Sequence, residues 1–123
     1  MGTEKIQSIF NLKILKEGLS GLAAESDEQM QLNKFGMENL DDVFDVMVKD
    51  YLPYLEENKI LSITFCNQIR AFYERVVFFA GHLSDQEKDA FIKENSTSLI
   101  SLRDEARNLL IGVNAALVTL DGK

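Results

Sequence analysis

Four carboxylates are spaced so that they share one face of a helix. Glu38, Asp41, Asp42 and Asp45 follow an i, i+3, i+4, i+7 pattern, which brings side chains to one side at about 100° per residue. Paired carboxylates can exchange protons or bind a divalent cation, but that chemistry needs groups that converge in a sheltered cleft. A single helix face leaves them in water. We therefore predict no metal site here and interpret the four acids as a surface that steers a basic partner protein.

His82 is the only histidine, which excludes any site built from two imidazoles. It follows Gly81 at a predicted helix end, where an imidazolium interacts favourably with the helix dipole, so the position is typical of a surface or capping residue. The neighbouring phenylalanines have the helical spacing of a core and do not indicate a haem pocket. We predict no cofactor.

Arg75 precedes His82 by seven residues, and this Arg-x6-His spacing resembles the motif of HEPN-type RNases. Those enzymes are small all-helical domains of about this length that usually act as dimers. The resemblance covers these two residues. It implies that Arg75 would stabilise phosphate and that His82 would be the acid–base group in a metal-independent attack by the RNA 2′-hydroxyl. An RNase is therefore kept as the alternative hypothesis.

Other motifs that carry chemistry are missing from the sequence. There is no Gly-rich phosphate loop, no Gly-x-Ser-x-Gly elbow and no kinase or zinc signature. Cys66 is the only cysteine, which excludes an internal disulfide, and we interpret it as a small core residue. Arg103 and Arg107 form an i, i+4 pair that we expect Asp104 and Glu105 to neutralise.

The elements that must position these residues belong to one acidic domain. The chain has 123 residues, 46% of them hydrophobic, and a net charge of −7. Residues 25–57 hold ten acids and two lysines, a balance of −8. This charge argues against DNA or an anionic membrane as the main partner. No apolar run approaches the length of a membrane span, and we expect a cytoplasmic location.

Apolar residues recur with helical spacing along most of the chain. The predicted helices cover 4–23, 38–52, 62–81 and 84–120, with a loop-like segment at 24–37. Pro53 should make the second helix kink or restart and end near Asn58, and the polar run at 95–97 should break the last helix. We predict an all-α fold, a single-domain antiparallel bundle of four to five helices.

Some apolar residues lie off the main stripe of their helices. They are Ile6, Phe10, Ile14, Phe78, Ile100, Ile111 and Val118. Either these helices are central and buried on two sides, or the residues contact another chain, most simply a second copy in a homodimer.

The favoured interpretation is a non-catalytic protein–protein interaction module, such as a small regulator, adaptor, inhibitor or immunity-type protein. The acidic face would steer the partner and the apolar stripes would supply affinity. A second alternative besides the RNase is a bundle that binds a small apolar ligand among the aromatic residues of 65–79. RNA would be a partner only for the RNase.

Overall fold

The computed structural model describes residues 2–28, 44–83 and 88–121, and all regular structure in these ranges is helical. Helix α1 spans Gly2–Ala23, and a π-helical turn at Met47–Tyr51 leads into α2 at Leu52–Glu57. Helix α3 spans Ile63–Leu83 and α4 spans Lys88–Asp121. The predicted all-α fold is confirmed. The predicted helix start at Ser84 and most of the predicted loop at 24–37 lie outside the described residues.

Helix α4 is antiparallel to both of its neighbours. Arg107 donates to the Ala23 carbonyl of α1, whereas Ser20, one turn earlier, shares a groove with Asn114, two turns later. Against α3, the Phe65 ring lies on Gly112 near one end of the contact, and an ion pair joins Arg75 to Glu105 further along it.

The helical segment of residues 44–57, here called the 44–57 helix, closes the bundle on the other side. It runs antiparallel to α1, because Phe10 contacts Tyr51 while Gly18 lies against Met47. It also packs on α3, where Phe44 meets Phe72 edge to face at 5.4 Å between centroids. Within the described ranges, the backbone of α1 does not approach that of α3, and the backbone of residues 47–57 does not approach that of α4. These two pairs of helices are therefore diagonal to each other. The arrangement is an up-down-up-down bundle with one helical segment at each corner of a square.

Each helix buries one stripe, as amphipathic spacing requires. Helix α1 buries a run of leucines, α3 buries Cys66 with aliphatic and aromatic residues, and α4 buries a long aliphatic stripe. The buried apolar residues of α4 are Ile92, Leu99, Leu102, Ala106, Leu109, Val113 and Leu117. Two glycines permit close packing here, since a Cβ at Gly18 would overlap Met47 and one at Gly112 would lie 2.6 Å from the Phe65 ring.

Pro53 restarts its helix as predicted. Proline has no N–H and its ring clashes with the carbonyl four residues earlier, so an unbroken α-helix cannot continue through it. The chain inserts the π-helical turn instead, and the N–H of Leu52 donates to Met47, five residues back. Asn58 is the C-cap of α2. The next residue, Lys59, adopts a left-handed conformation with φ 59°, and the N–H of Ile60 donates to the Leu55 carbonyl.

The polar run near the start of α4 bends the helix. Asn95 has φ −118° and ψ 20°, outside the helical range, while the residues on both sides are helical. Asparagine side chains compete for backbone hydrogen bonds, which is the reason a break was predicted here. The bend separates a short N-terminal part of α4 from the long part that packs against α1 and α3.

Two arginines of α4 hold the C-terminal end of α1. Arg103 is buried and donates to the Glu25 carbonyl and to Asp104, and it also pairs with Asp27. Arg107 donates to the carbonyls of Ala23 and Glu25. Burial lowers the pKa of Arg103, but hydrogen bonds to Asp104 and Asp27 outweigh it and the pKa is raised. These guanidinium groups bond the carbonyl of Ala23, the last residue of α1, and that of Glu25 just after it, where a cation is favoured.

The prediction that Asp104 and Glu105 neutralise the Arg103–Arg107 pair is therefore correct for Asp104 and wrong for Glu105. Asp104 does pair with Arg103, but Glu105 points to the other side of α4 and pairs with Arg75 of α3. Adjacent residues on a helix face directions about 100° apart, so one cluster cannot use both acids.

We expect Arg103→Met to lower the free energy of unfolding by about 2 kcal/mol, because charge-assisted hydrogen bonds from α4 to Glu25 and Asp27, which follow α1, are lost. Urea denaturation followed by circular dichroism measures this. The matched control is Lys93→Met on the exposed surface of the same helix, which should change stability by less than about 0.5 kcal/mol. Equal losses in the two variants would contradict a bridging role for Arg103.

Candidate functional site

Of the four predicted steering acids, the structure places Asp45; Glu38, Asp41 and Asp42 lie outside the described residues. Asp45 accepts a hydrogen bond from the Tyr73 hydroxyl at 2.6 Å and pairs with Lys49 at 2.8 Å. The hydrogen bond from Lys49, and then the one from Tyr73, lowers the pKa of the Asp45 carboxyl. This carboxylate therefore links the 44–57 helix to α3.

Two further acids lie on the surface of the 44–57 helix. Asp50 and Glu57 are exposed, and neither forms an ion pair within the described ranges. Val46, 46% exposed, adds an apolar contact on the same helix. Asp50 and Glu57 are not among the acids predicted from the sequence, although their seven-residue spacing inside the acidic segment is a signal that identifies them.

The two residues of the RNase hypothesis both belong to α3. Arg75 is half-exposed and its guanidinium pairs with Glu105 across the contact with α4. The backbone of His82 continues the helix to its last turn, and its side chain lies outside the described part. The Glu105 carboxylate would compete with an RNA phosphate for the Arg75 guanidinium.

Five of the seven off-stripe apolar residues are exposed to solvent. The exposed ones are Ile6, Phe10, Phe78, Ile111 and Val118. The other two, Ile14 and Ile100, are partly buried and pack against the core. Burial of a central helix on two sides therefore does not explain these five residues, because each helix of the square has a face that points to solvent.

The outward face of α4 combines exposed apolar residues with an apolar groove. Ile111 is 67% exposed and Val118 is 71% exposed, and the small Ala115 lies between them. We call these three residues the α4 ridge. Beside it, a groove of about 380 Å³ runs between α1 and α4. Its lining residues are Ser20, Ala23, Ala24, Arg107, Leu110, Ile111 and Asn114.

The described residues contain no grouping of three or more His, Cys, Asp and Glu side chains that could hold a metal ion. Cys66 is buried as predicted, and desolvation raises the pKa of its thiol, so it lacks the thiolate character of a nucleophile. Within the same ranges, no helix is both long and apolar enough to cross a membrane.

Comparison with protein-family models, with curated proteins and with solved structures finds no match to this chain. The resemblance to HEPN-type RNases therefore rests on the spacing of Arg75 and His82.

We expect Tyr73→Phe to destabilise the protein at neutral pH and to lose this effect in acid. A carboxyl whose pKa is lowered in the folded state adds stability above its unfolded pKa, and this stability disappears as pH falls through the folded value. The difference between wild type and variant should therefore shrink below pH 3.8, the unperturbed value for Asp45. Urea midpoints measured from pH 2 to pH 7 test this.

The matched control is Tyr51→Phe, since the Tyr51 ring contacts Phe10 and its hydroxyl does not bond Asp45. Its difference from wild type should not change across the same pH range. A Tyr73→Phe effect that is equally independent of pH would show that the hydroxyl does not stabilise the ionised carboxylate.

Proposed function

We propose that this chain is a non-catalytic protein–protein interaction module that pairs with a second copy through the α4 ridge and presents its acidic 44–57 helix to a basic partner. The observation that carries the proposal is the exposure of Ile111 and Val118 beside the apolar groove. Contiguous apolar surface of this kind is uncommon on proteins that remain alone in solution.

The geometry of the ridge favours a two-fold pairing. Ile111 and Val118 are seven residues apart, which is two helical turns, so both lie on one side of α4. In an antiparallel α4–α4 contact about a two-fold axis near Ala115, Ile111 of each protomer meets Val118 of the other. Every contact then occurs twice, and the alanine at the centre allows the helices to approach closely.

The charge distribution favours a second copy on this face. Residues 62–123 have eight acids and seven bases, a balance of −1, whereas residues 25–57 have a balance of −8. The 44–57 helix is diagonal to α4 in the square. Pairing through α4 therefore keeps the acidic helices of the two protomers apart, and each remains free to attract a basic protein.

Sedimentation equilibrium tests the pairing. We expect wild type to reach twice the 13.9 kDa chain mass as concentration rises, and the double variant Ile111→Glu plus Val118→Glu to stay at the mass of one chain. Two carboxylates on each side of the contact would be desolvated without partners, which should weaken association at least about 100-fold. The control is Ile63→Glu, an equally exposed isoleucine on α3, which should still associate.

A wild type that remains at the mass of one chain over the whole concentration series would overturn the second copy as the occupant of the ridge. So would association that the double variant retains.

The acidic helix is tested with a defined basic probe, a synthetic amphipathic peptide whose polar face is lysine. Reversing the exposed acids with Asp50→Lys plus Glu57→Lys should weaken binding about five- to tenfold at low salt. Fluorescence anisotropy of the labelled peptide measures the affinity, and the effect should diminish at physiological salt because the charges are exposed.

The control for this experiment has the same change in net charge at exposed sites on other helices, Glu17→Lys plus Glu94→Lys. It should weaken binding much less. Equal effects of the two double variants would mean that the peptide responds to total charge, and the acidic helix would then have no special role in docking.

A further inference from the structure

A second concave surface lies on the opposite flank of α4, between α4 and α3. It has a volume of about 330 Å³ and begins two residues after the bend at Asn95. Its floor is apolar, formed by the buried side chains of Phe79 and Leu102. Its walls carry the ion pair of Arg75 with Glu105 and a row of hydroxyl groups. The hydroxyls belong to Thr97, Ser98 and Ser101.

The polar groups of this cleft retain capacity to bind a ligand. A guanidinium has five N–H donors and a carboxylate has about four lone-pair sites, so the ion pair of Arg75 with Glu105 does not use all of them. None of the three hydroxyls has a hydrogen-bond partner among the described residues. A cluster of such groups around an apolar floor is the usual composition of a small-molecule site.

The charges select the class of ligand. Arg75 and Glu105 lie side by side. Glu105 repels a dianion and Arg75 repels a dication, whereas a molecule with one charge of each sign can bind both residues. The apolar floor adds a contact for a hydrocarbon side chain. We propose that this cleft binds a small zwitterion, an α-amino acid with an apolar side chain.

In this complex Arg75 donates to the amino acid carboxylate and Glu105 accepts from its ammonium group. Ser98 and Ser101 hydrogen-bond the carboxylate edge, and the side chain lies over Phe79 and Leu102. The volume is at the lower end of the range for ligand pockets, about 300–1,000 Å³, and suits one amino acid better than a peptide or a nucleotide cofactor.

Isothermal titration calorimetry of the full chain with L-leucine tests the proposal. We expect saturable binding with one site per chain. N-acetyl-leucine, which lacks the ammonium charge, and leucinamide, which lacks the carboxylate, should each bind at least about tenfold more weakly, since each loses a charge-assisted hydrogen bond. Inorganic phosphate should not bind.

Three variants show where the amino acid binds. Arg75→Gln and Glu105→Gln should each weaken leucine binding about tenfold or more. Because these changes also remove a contact between helices, Ser101→Leu provides a second route: it fills the cleft from an exposed helical position and leaves the ion pair intact. It should abolish binding while the circular dichroism spectrum is unchanged. Lys93→Gln, outside the cleft on the same helix, should bind leucine as wild type does.

The absence of leucine binding would overturn the proposal, as would unchanged binding by Ser101→Leu or equal binding of the three leucine compounds. The result is independent of self-association, because the α4 ridge lies on the outward face of α4 and begins six residues after Glu105, the last α4 residue of the cleft. The double variant at Ile111 and Val118 should therefore retain leucine binding even where it cannot pair.

Discussion

Burial of the aliphatic stripe of α4 is the constraint on which the rest of this structure depends. That stripe packs against α1 on one flank and α3 on the other, and its fully buried members include Leu99 and Val113. Apolar burial contributes about 25 cal/mol per Å², so a stripe of this length outweighs any single polar contact in the molecule. Once it faces inward, every other position on α4 has its direction assigned by the helical repeat.

Three consequences follow from that orientation. Arg103 turns toward the end of α1 and Glu105 turns toward Arg75, so neighbouring residues serve different interfaces. Ile111 and Val118 turn outward beside the groove with α1. The hydroxyls of 97–101 turn to the flank of α3, where the cleft forms. One helix thereby supplies the arginines that bond the end of α1, the α4 ridge, and one wall of the cleft with α3.

The charged residues that the structure describes include some that join helices and others that form no ion pair. Asp45 bonds Tyr73 and Lys49, and Arg103 bonds the Glu25 carbonyl and the carboxylates of Asp27 and Asp104. These contacts fix how helices meet. Asp50 and Glu57 are exposed and form no ion pair in the described ranges. Charge patterning in the sequence identified the acidic segment. It did not distinguish acids that bond other helices from acids that remain exposed, because both occur at helical spacing.

The sequence by itself determined the helices. The spacing of apolar residues identified the core faces of α1, α3 and α4, Pro53 predicted the restart of the second helix, and the polar run predicted the bend at Asn95. These features are local: they depend on side chains within one or two turns and on the backbone chemistry of proline and asparagine. For the same reason the burial of Cys66 could be predicted from its position on an apolar helix face.

Only the tertiary structure decided which polar residues meet. The pairing of Arg75 with Glu105, the hold of Arg103 on Glu25 and the bond between Tyr73 and Asp45 join residues 28 to 78 positions apart. Such contacts depend on which helices are neighbours and on their relative height, and periodicity carries no information about either. The exposure of Ile111 and Val118 has the same origin. Their spacing marked them as unusual, but only the square arrangement of the helices showed that nothing within the described chain covers them.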